Sequence, residues 1–474
     1  MPILNDIHSR LNATTVDRII RPENISEIRD AIRHCATTKR SVAVGGGRHA
    51  MGGQQFCTNG TYLDMTGLTK VLSTDSDTGL IEVEAGITWP ALLEATKKIP
   101  KTASAPDGWA VRQKQTGVDD VTIGGAIAAN AHGRGLKMQP ISGDIESFKI
   151  VTASGDLVNC SRTESPELFS LAIGGFGLFG VVYSVKLRLM PRMRLRRIVN
   201  IIDIDDAVPA IYRRVDEGCL FGDFQFAIDA TGGEFMRRGV FACYLPEADT
   251  SSNPDAHADL PAEQWLGLLK LAHEDKRAAF KLYASHYLAT DGQVYWSDRM
   301  QLSTYIPSYA DFLARSNGPV PTSGPKNDES LLIGEHYVPP EKLLDFLQAA
   351  RNILREDSAE VIYGTIRAIR KDTTAFLKWA SHDWCCIVLN LRVVHTPDGI
   401  ARAHSTFRKL TDASIALGGS FFLTYHRAAT ADQVLACYPG INDFFRKKIE
   451  YDPNRIFQSD WYRHYAGTIG GDQG

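Results

Sequence analysis

Ile25, Ile28, Ile32 and Cys35 recur at three- and four-residue spacing through RPENISEIRDAIRHCATT, residues 21–38. That stripe predicts an amphipathic helix, with Asn24 placed to cap it. SVAV at 41–44 is a short β-like run that empties into glycine. TYLDM, a polar hairpin at STDSDTG, and LIEVEAG read as strands, and WPALLEATKKI reads as a helix. IESFKIVTASGDLVNCS, residues 145–161, predicts two strands turned at Ser154-Gly155-Asp156. SPELFSLAIGGFGLFGVVYSVKLRLMP follows as helix, glycine loop and strand. Strands joined by turns, with few helices, form an α+β pattern and not steady βαβ alternation.

After Pro191 glycine thins out and longer alternating strands appear. Clear helix patterns follow, such as AEQWLGLLKLAHEDKRAAFKLYASHYL and PPEKLLDFLQAARNILRE. This change predicts a domain over residues 1–192, a second over 193–430, and a closing segment over 431–474. SNGPVPTSGPKNDES, residues 316–330, is turn-rich, and either a mobile lid or a surface insertion without a role fits it. Cys385 and Cys386 are adjacent on an apparent strand, so they should face opposite sides. FFLTYHR, residues 421–427, is also expected as a strand, with Arg427 on the face of Tyr425.

Composition narrows the function class. The 474 residues are 44% hydrophobic and 23% charged, with a net charge of -3 and no long run of one sign. A nucleic-acid partner is not expected without a basic footprint. The N-terminus MPILNDIHSRLN lacks a basic region followed by an apolar run. LAIGGFGLFGVVYSV, residues 171–185, is too short and glycine-rich to span a membrane. Eight cysteines without a CxxC pair suggest free thiols in a reducing, cytoplasmic compartment. No metal site is expected.

Two glycine motifs imitate a dinucleotide fingerprint. Gly45-x-Gly47-x-x-Ala50 has Asp64 near the distance for a ribose contact. That fingerprint must open a helix, whose N-terminus holds the pyrophosphate. MGGQQFCTNGTYLDM comes next, with no helical period. Gly175-x-Gly177-x-x-Gly180 has the wrong order, helix before strand. Three glycine-rich loops, 45–53, 124–135 and 174–180, nonetheless fall in one region. Glycine admits close backbone approach, and amides in such loops form anion-binding concavities. The loops are either tight turns or the walls of a trough for a long, flat, phosphate-bearing cofactor.

AVGGGRHAMGGQ, LDMTGLTKV, VTIGGAIAANAHGRG and PELFSLAIGGFGLFGVV occur here in that order. In that order they resemble the FAD domain of the vanillyl-alcohol-oxidase (PCMH-type) superfamily, over most of residues 15–190. EHYVPPEKLL, TIRAIRKD, GGSFFLTYHR and DPNRIFQSD make the second half most similar to the aldonolactone and alditol oxidases and decaprenylphosphoryl-ribose oxidase. The resemblance implies an α+β FAD domain of two subdomains with the diphosphate between them. It also implies a cap domain with an antiparallel sheet over the isoalloxazine, and a tail returning to the FAD domain.

Candidate cofactor residues follow from the same match. In the first loop they are Gly45, Gly46, Gly47, Arg48, His49, Ala50 and Gly53. In the second they are Gly117, Thr122, Gly124, Gly125, Ala128, His132 and Gly133, and in the third Gly180 and Val182. His49 holds the place of the histidine that bonds the flavin 8α carbon in covalent members. A neutral imidazole is a competent nucleophile near pH 7. A noncovalent ring or phosphate contact is the other reading of His49. TGVDDVTIGG has no cysteine for a second linkage. His132 matches a histidine near the ring, or is a buried structural histidine.

Flavin oxidation of an alcohol needs placement of the carbon, a proton acceptor, and a donor toward the reduced ring. Sugar-oxidising relatives have a lysine where this chain has Tyr425, followed by His426 and Arg427. Arg367 matches a substrate-side arginine of alditol oxidases, but Thr365 replaces its acidic partner. Glu335 and Asn390 complete the candidate catalytic set. The implied activity is oxidation of a CH–OH group of a sugar, lactone or polyol-like substrate by hydride transfer to flavin N5. Oxygen, a quinone or a protein would be the acceptor. A same-fold enzyme acting on an aromatic alcohol, amine or lipid-linked sugar, or a non-catalytic flavin-fold protein, are the alternatives.

Overall fold

The computed structural model describes residues 1–115, 117–249, 251–255, 260–302 and 328–470. Much of the 316–330 loop lies outside the described residues. Helix α1 (Ile25–Thr37) starts where Asn24 accepts from the Glu27 N–H, and it buries Ile28, Ala31, Ile32 and Cys35. These side chains lie on a small parallel sheet of β3 (Arg18–Ile20), β5 (Thr61–Asp64) and β4 (Val42–Gly45), in that spatial order. β3, α1 and β4 thus form one crossover unit. A short antiparallel pair, β1 (Ile3–Leu4) and β2 (Thr14–Thr15), precedes it.

The second sheet is antiparallel. Its order is β10 (Leu157–Ser161), β9 (Ile145–Val151), β11 (Val181–Pro191), β7 (Leu80–Glu84) and β6 (Val71–Asp75), with β8 (Trp109–Val111) also on β11. Helices α2 (Trp89–Thr96), α3 (Ile123–Ala129) and α4 (Pro166–Ala172) share its core. The second glycine-rich stretch is therefore partly helix, not loop. Thr122 caps α3 by accepting from Gly125 N–H, and Asn130 ends it in the left-handed region. The chain leaves this sheet at Pro191 and enters the next at Arg194.

That third sheet has eight antiparallel strands. Its order is β15 (Val294–Trp296), β12 (Arg194–Asp203), β14 (Arg238–Pro246), β13 (Phe221–Phe226), β17 (Val361–Ile369), β18 (Trp384–Val394), β16 (Glu329–Val338) and β19 (Ser420–Phe421). Helices 343–356 and 397–416 bury Phe346, Leu347, Phe407 and Leu410 against Ile366, Ile387 and Leu389. On the other face, Tyr283 and Ala284 pack against Val199, Val240 and Ala242. Register puts Glu335, Val388 and Thr365 in one row across that face, and Tyr337, Cys386 and Arg367 in the next. Cys385 and Cys386 face opposite cores, as the alternation requires.

FFLTYHR is not a strand. β19 ends at Phe421 and the chain turns through 422–429. The Leu423 carbonyl accepts from Trp461 Nε1 at 3.2 Å and Gln54 Nε2 at 3.1 Å. Side chains take up the group that a ladder would have used, so alternation ends there and Arg427 does not share Tyr425's surroundings. The tail returns to the small parallel sheet, with Phe457 bridged to Val42. Among the described residues no helix is long and apolar enough to cross a membrane.

Candidate functional site

The three glycine segments and the third sheet enclose one cavity of about 1480 Å³ counting its mouth. One wall is the loop after β4. No helix opens there, which excludes the dinucleotide fingerprint. Asp64 instead caps a short turn by accepting from Thr66 N–H.

The glycines of this wall are dictated by contact. A Cβ on Gly45 would run into the Tyr62 ring, and one on Gly46 into Thr122 Oγ1, the atom that caps α3. Gly180 has φ +145°, and a Cβ there would sit 2.6 Å from the Val151 carbonyl. Glycine is required at these positions by the protein packed against them, and their backbones line the cavity.

Of the candidate cofactor residues, Gly45, Gly46, Gly47, Arg48, His49, Ala50, Gly117, Thr122, Gly124, Gly125, Ala128, His132, Gly180 and Val182 line the cavity. Gly53 and Gly133 do not. Gly53 turns toward Asn12 and Asp460, and Gly133 packs on Gln113 and Lys114. Tyr425, Arg367 and Glu335 reach the cavity from the other side. Asn390, His426 and Arg427 do not. Asn390 shares the sheet face but stands beside Ile333 and Tyr363. His426 stacks toward His404 at 6.1 Å, and Arg427 donates to the Asp460 carbonyl at 3.0 Å.

Glu335 is the hub of the far wall and is only 6% exposed. Its Oε1 accepts from Tyr425 OH at 2.6 Å. Its Oε2 accepts from Tyr337 OH at 2.8 Å and lies 2.8 Å from His132 Nε2. His132 Nδ1 is 3.1 Å from the Gly133 carbonyl, which can only accept, so Nδ1 carries a hydrogen. One further proton therefore lies between Nε2 and Oε2. Burial pushes the Glu335 carboxyl up, but His132, and after it Tyr425 and Arg367, hold it down to about 2. Burial, then Glu335, pushes the Tyr425 phenol well above its ordinary value. Cys386 lies behind this group, with Sγ 3.7 Å from Glu335 Oε2.

On the near wall, His49 Nδ1 meets His8 Nε2 at 2.9 Å. Burial and then His8 lower the His49 imidazole to about 3. His49 Nε2 is sealed from water and completes no hydrogen bond, although the Asp120 carbonyl lies near. His8 carries no sequence motif, and only its place in the fold reveals it. Thr424, Phe422, Gln55 and Gln115 also line the cavity unforeseen. Gln55 Oε1 and Gln115 Oε1 are buried acceptors without a donor.

Residues 16–161 match the family model described as FAD binding domain. The chain is 25% identical over 451 residues to L-gulono-1,4-lactone dehydrogenase of Mycobacterium tuberculosis, covering 95% of this chain and 96% of that protein. It is 27% identical over 176 residues to L-gulonolactone oxidase of Bos taurus, covering 37% of this chain and 38% of that one. It is 28% identical over 199 residues to mitochondrial L-galactono-1,4-lactone dehydrogenase of Arabidopsis thaliana, covering 41% of this chain and 31% of that protein. The residues present fit FAD. Glycine backbone forms a flat cradle, while an orphaned imidazole nitrogen and two orphaned amide oxygens await a partner with a polar edge.

Proposed function

We propose that this chain, an FAD-dependent oxidoreductase with its FAD-binding domain over residues 16–161, oxidises a CH–OH group of a sugar, lactone or polyol-like substrate. The observation that carries this reading is the Tyr425–Glu335–His132 network facing the glycine cradle across one cavity. The FAD domain is residues 1–192, in two subdomains built on the parallel sheet and the six-stranded sheet. The cap is 193–430 and the closing segment 431–474. The glycines, Arg48 and Thr122 would hold the cofactor, and His49 would be its covalent anchor.

Bound FAD supplies the hydride acceptor. The chain's own residues handle the proton. The substrate hydroxyl donates to Tyr425 Oη, whose own hydrogen is already directed at Glu335 Oε1. As the C–H pair of electrons leaves, the hydroxyl becomes a protonated carbonyl, a very strong acid. A carboxylate held near 2 is base enough to receive that proton through Tyr425. His132 and Tyr337 fix the carboxylate so that Oε1 stays aimed at Tyr425. Arg367 faces the substrate. Asn390, His426 and Arg427 lie off the cavity and take no part. Oxygen, a quinone or a protein would be the electron acceptor, and the free cysteines suit the cytoplasm.

The test is spectral and kinetic. The purified protein should be yellow, should keep its colour in an acid-precipitated pellet, and should bleach with a polyhydroxylated alcohol under anaerobic conditions. A colourless protein that takes up no FAD rejects the reading.

A further inference from the structure

Arg367 reaches the cavity beside Glu335, and the cations nearest it, Lys114 and Arg134, already face carboxylates. Lys114 Nζ meets Asp119 Oδ1 at 2.7 Å. Arg134 Nη1 lies 3.6 Å from Asp223 Oδ1. His132 and Glu335 share the proton already described. Arg367 remains. Its Nε is sealed from solvent with no hydrogen-bond partner, and among the described residues no carboxylate forms an ion pair with it. Its Nη2 lies beside Gly117, 3.6 Å from where a Cβ on that residue would stand.

Thr365, two residues earlier on the same face, does nothing to neutralise it. Thr365 Oγ1 donates to the Phe224 carbonyl at 3.1 Å and is fully buried. Arg367 is part-exposed at the cavity, and although Asp223 and Glu335 are near enough to favour its charge, neither forms an ion pair with it, so its guanidinium stays available to an entering anion. The guanidinium fork matches a carboxylate in two-point contact. The unsatisfied Gln115 Oε1, on the same cavity wall, can accept from a hydroxyl.

We propose that the substrate is a polyhydroxylated carboxylic acid of the aldonic-acid type, its carboxylate seated on Arg367 and its reacting carbinol beside Tyr425. This rests on the alcohol-oxidation reading above and narrows it. The carboxylate is unchanged in the reaction. The carbinol would lose one hydride to bound FAD and one proton, relayed by Tyr425, to the Glu335 carboxylate, giving the oxo acid. The two electrons then pass to the oxygen or quinone acceptor.

The experiment uses the flavin-loaded protein with four probes: L-gulonate, D-gluconate, freshly dissolved L-gulono-1,4-lactone, and sorbitol. At least one of the two acids should be favoured over both neutral probes in kcat/KM by tenfold or more. Arg367→Met should lower the favoured acid's kcat/KM about a hundredfold, mainly through KM, and lower the lactone's by at least tenfold less. Arg367→Lys should restore part of the loss. A binding readout runs beside it, the perturbation of the flavin spectrum by propionate, present in the parent protein and absent in Arg367→Met. Preference for the lactone or sorbitol overturns the inference while leaving the alcohol reading intact. Equal losses for acid and lactone in Arg367→Met also overturn it, since the arginine then serves the cofactor. Reduction by none of the four, with flavin bound, overturns both.

Discussion

His8 Nε2 and His49 Nδ1 stand 2.9 Å apart, although 41 residues separate them in the chain. Two ring nitrogens at that distance share one hydrogen, so the tautomer of one ring fixes that of the other. Burial lowers both imidazoles, and the pair stays neutral near pH 7. When His49 Nδ1 donates to His8, His49 Nε2 keeps its lone pair. His49→Ala should therefore release all yellow colour into the acid supernatant. His8→Ala should still bind flavin but retain a smaller fraction in the pellet, measured by absorbance of the two fractions.

Tyr425 and Glu335 act on one proton, so their losses should not add. Tyr425→Phe and Glu335→Gln should each lower the rate of flavin reduction about 10²–10⁴-fold. The double variant should fall little further. Stopped-flow reduction under anaerobic conditions measures all three.

The low Glu335 value also bears on acid stability. Its folded pKa, about 2, lies below the ordinary 4.5, so between those values the unfolded chain binds more protons. Stability from this group is thus fully present above about pH 4.5 and is lost as pH falls toward 2. Glu335→Gln should flatten that part of the curve of unfolding midpoint against pH.

Gly46 and Gly467 should respond oppositely to alanine. At Gly46 the new methyl meets Thr122 Oγ1, so Gly46→Ala should lower both flavin content and Tm. Gly467 lies within helix 460–469 with nothing within 4 Å of an added Cβ. Gly467→Ala should stabilise by about 1 kcal/mol from helix propensity. Thermal melts of both variants check the contrast.

Helix α1 is legible because Ile28, Ile32 and Cys35 repeat at its own period and Asn24 caps it, all within one segment. The hairpin at Ser154-Gly155-Asp156 is equally local. The turn at 422–429 is not legible, since Trp461 and Gln54, far away in sequence, claim the Leu423 carbonyl. FFLTYHR alternates like a strand, and nothing within it reveals that claim. The glycines of α3 conceal a helix for a similar reason. Gly124 sits where a Cβ would lie 3.0 Å from Ala85 Cβ, so packing selects glycine where propensity would not. Cavity residues came through where motif order carried them, as at His49 and His132. His8 did not, because its place depends on the path of the N-terminal segment.

The bridge from Phe457 to Val42, with Asp460 N–H donating to the Phe56 carbonyl, buttresses the first glycine wall from the far end of the chain. A substitution that frees residues 456–460 should therefore loosen the glycine wall itself, although that segment does not line the cavity.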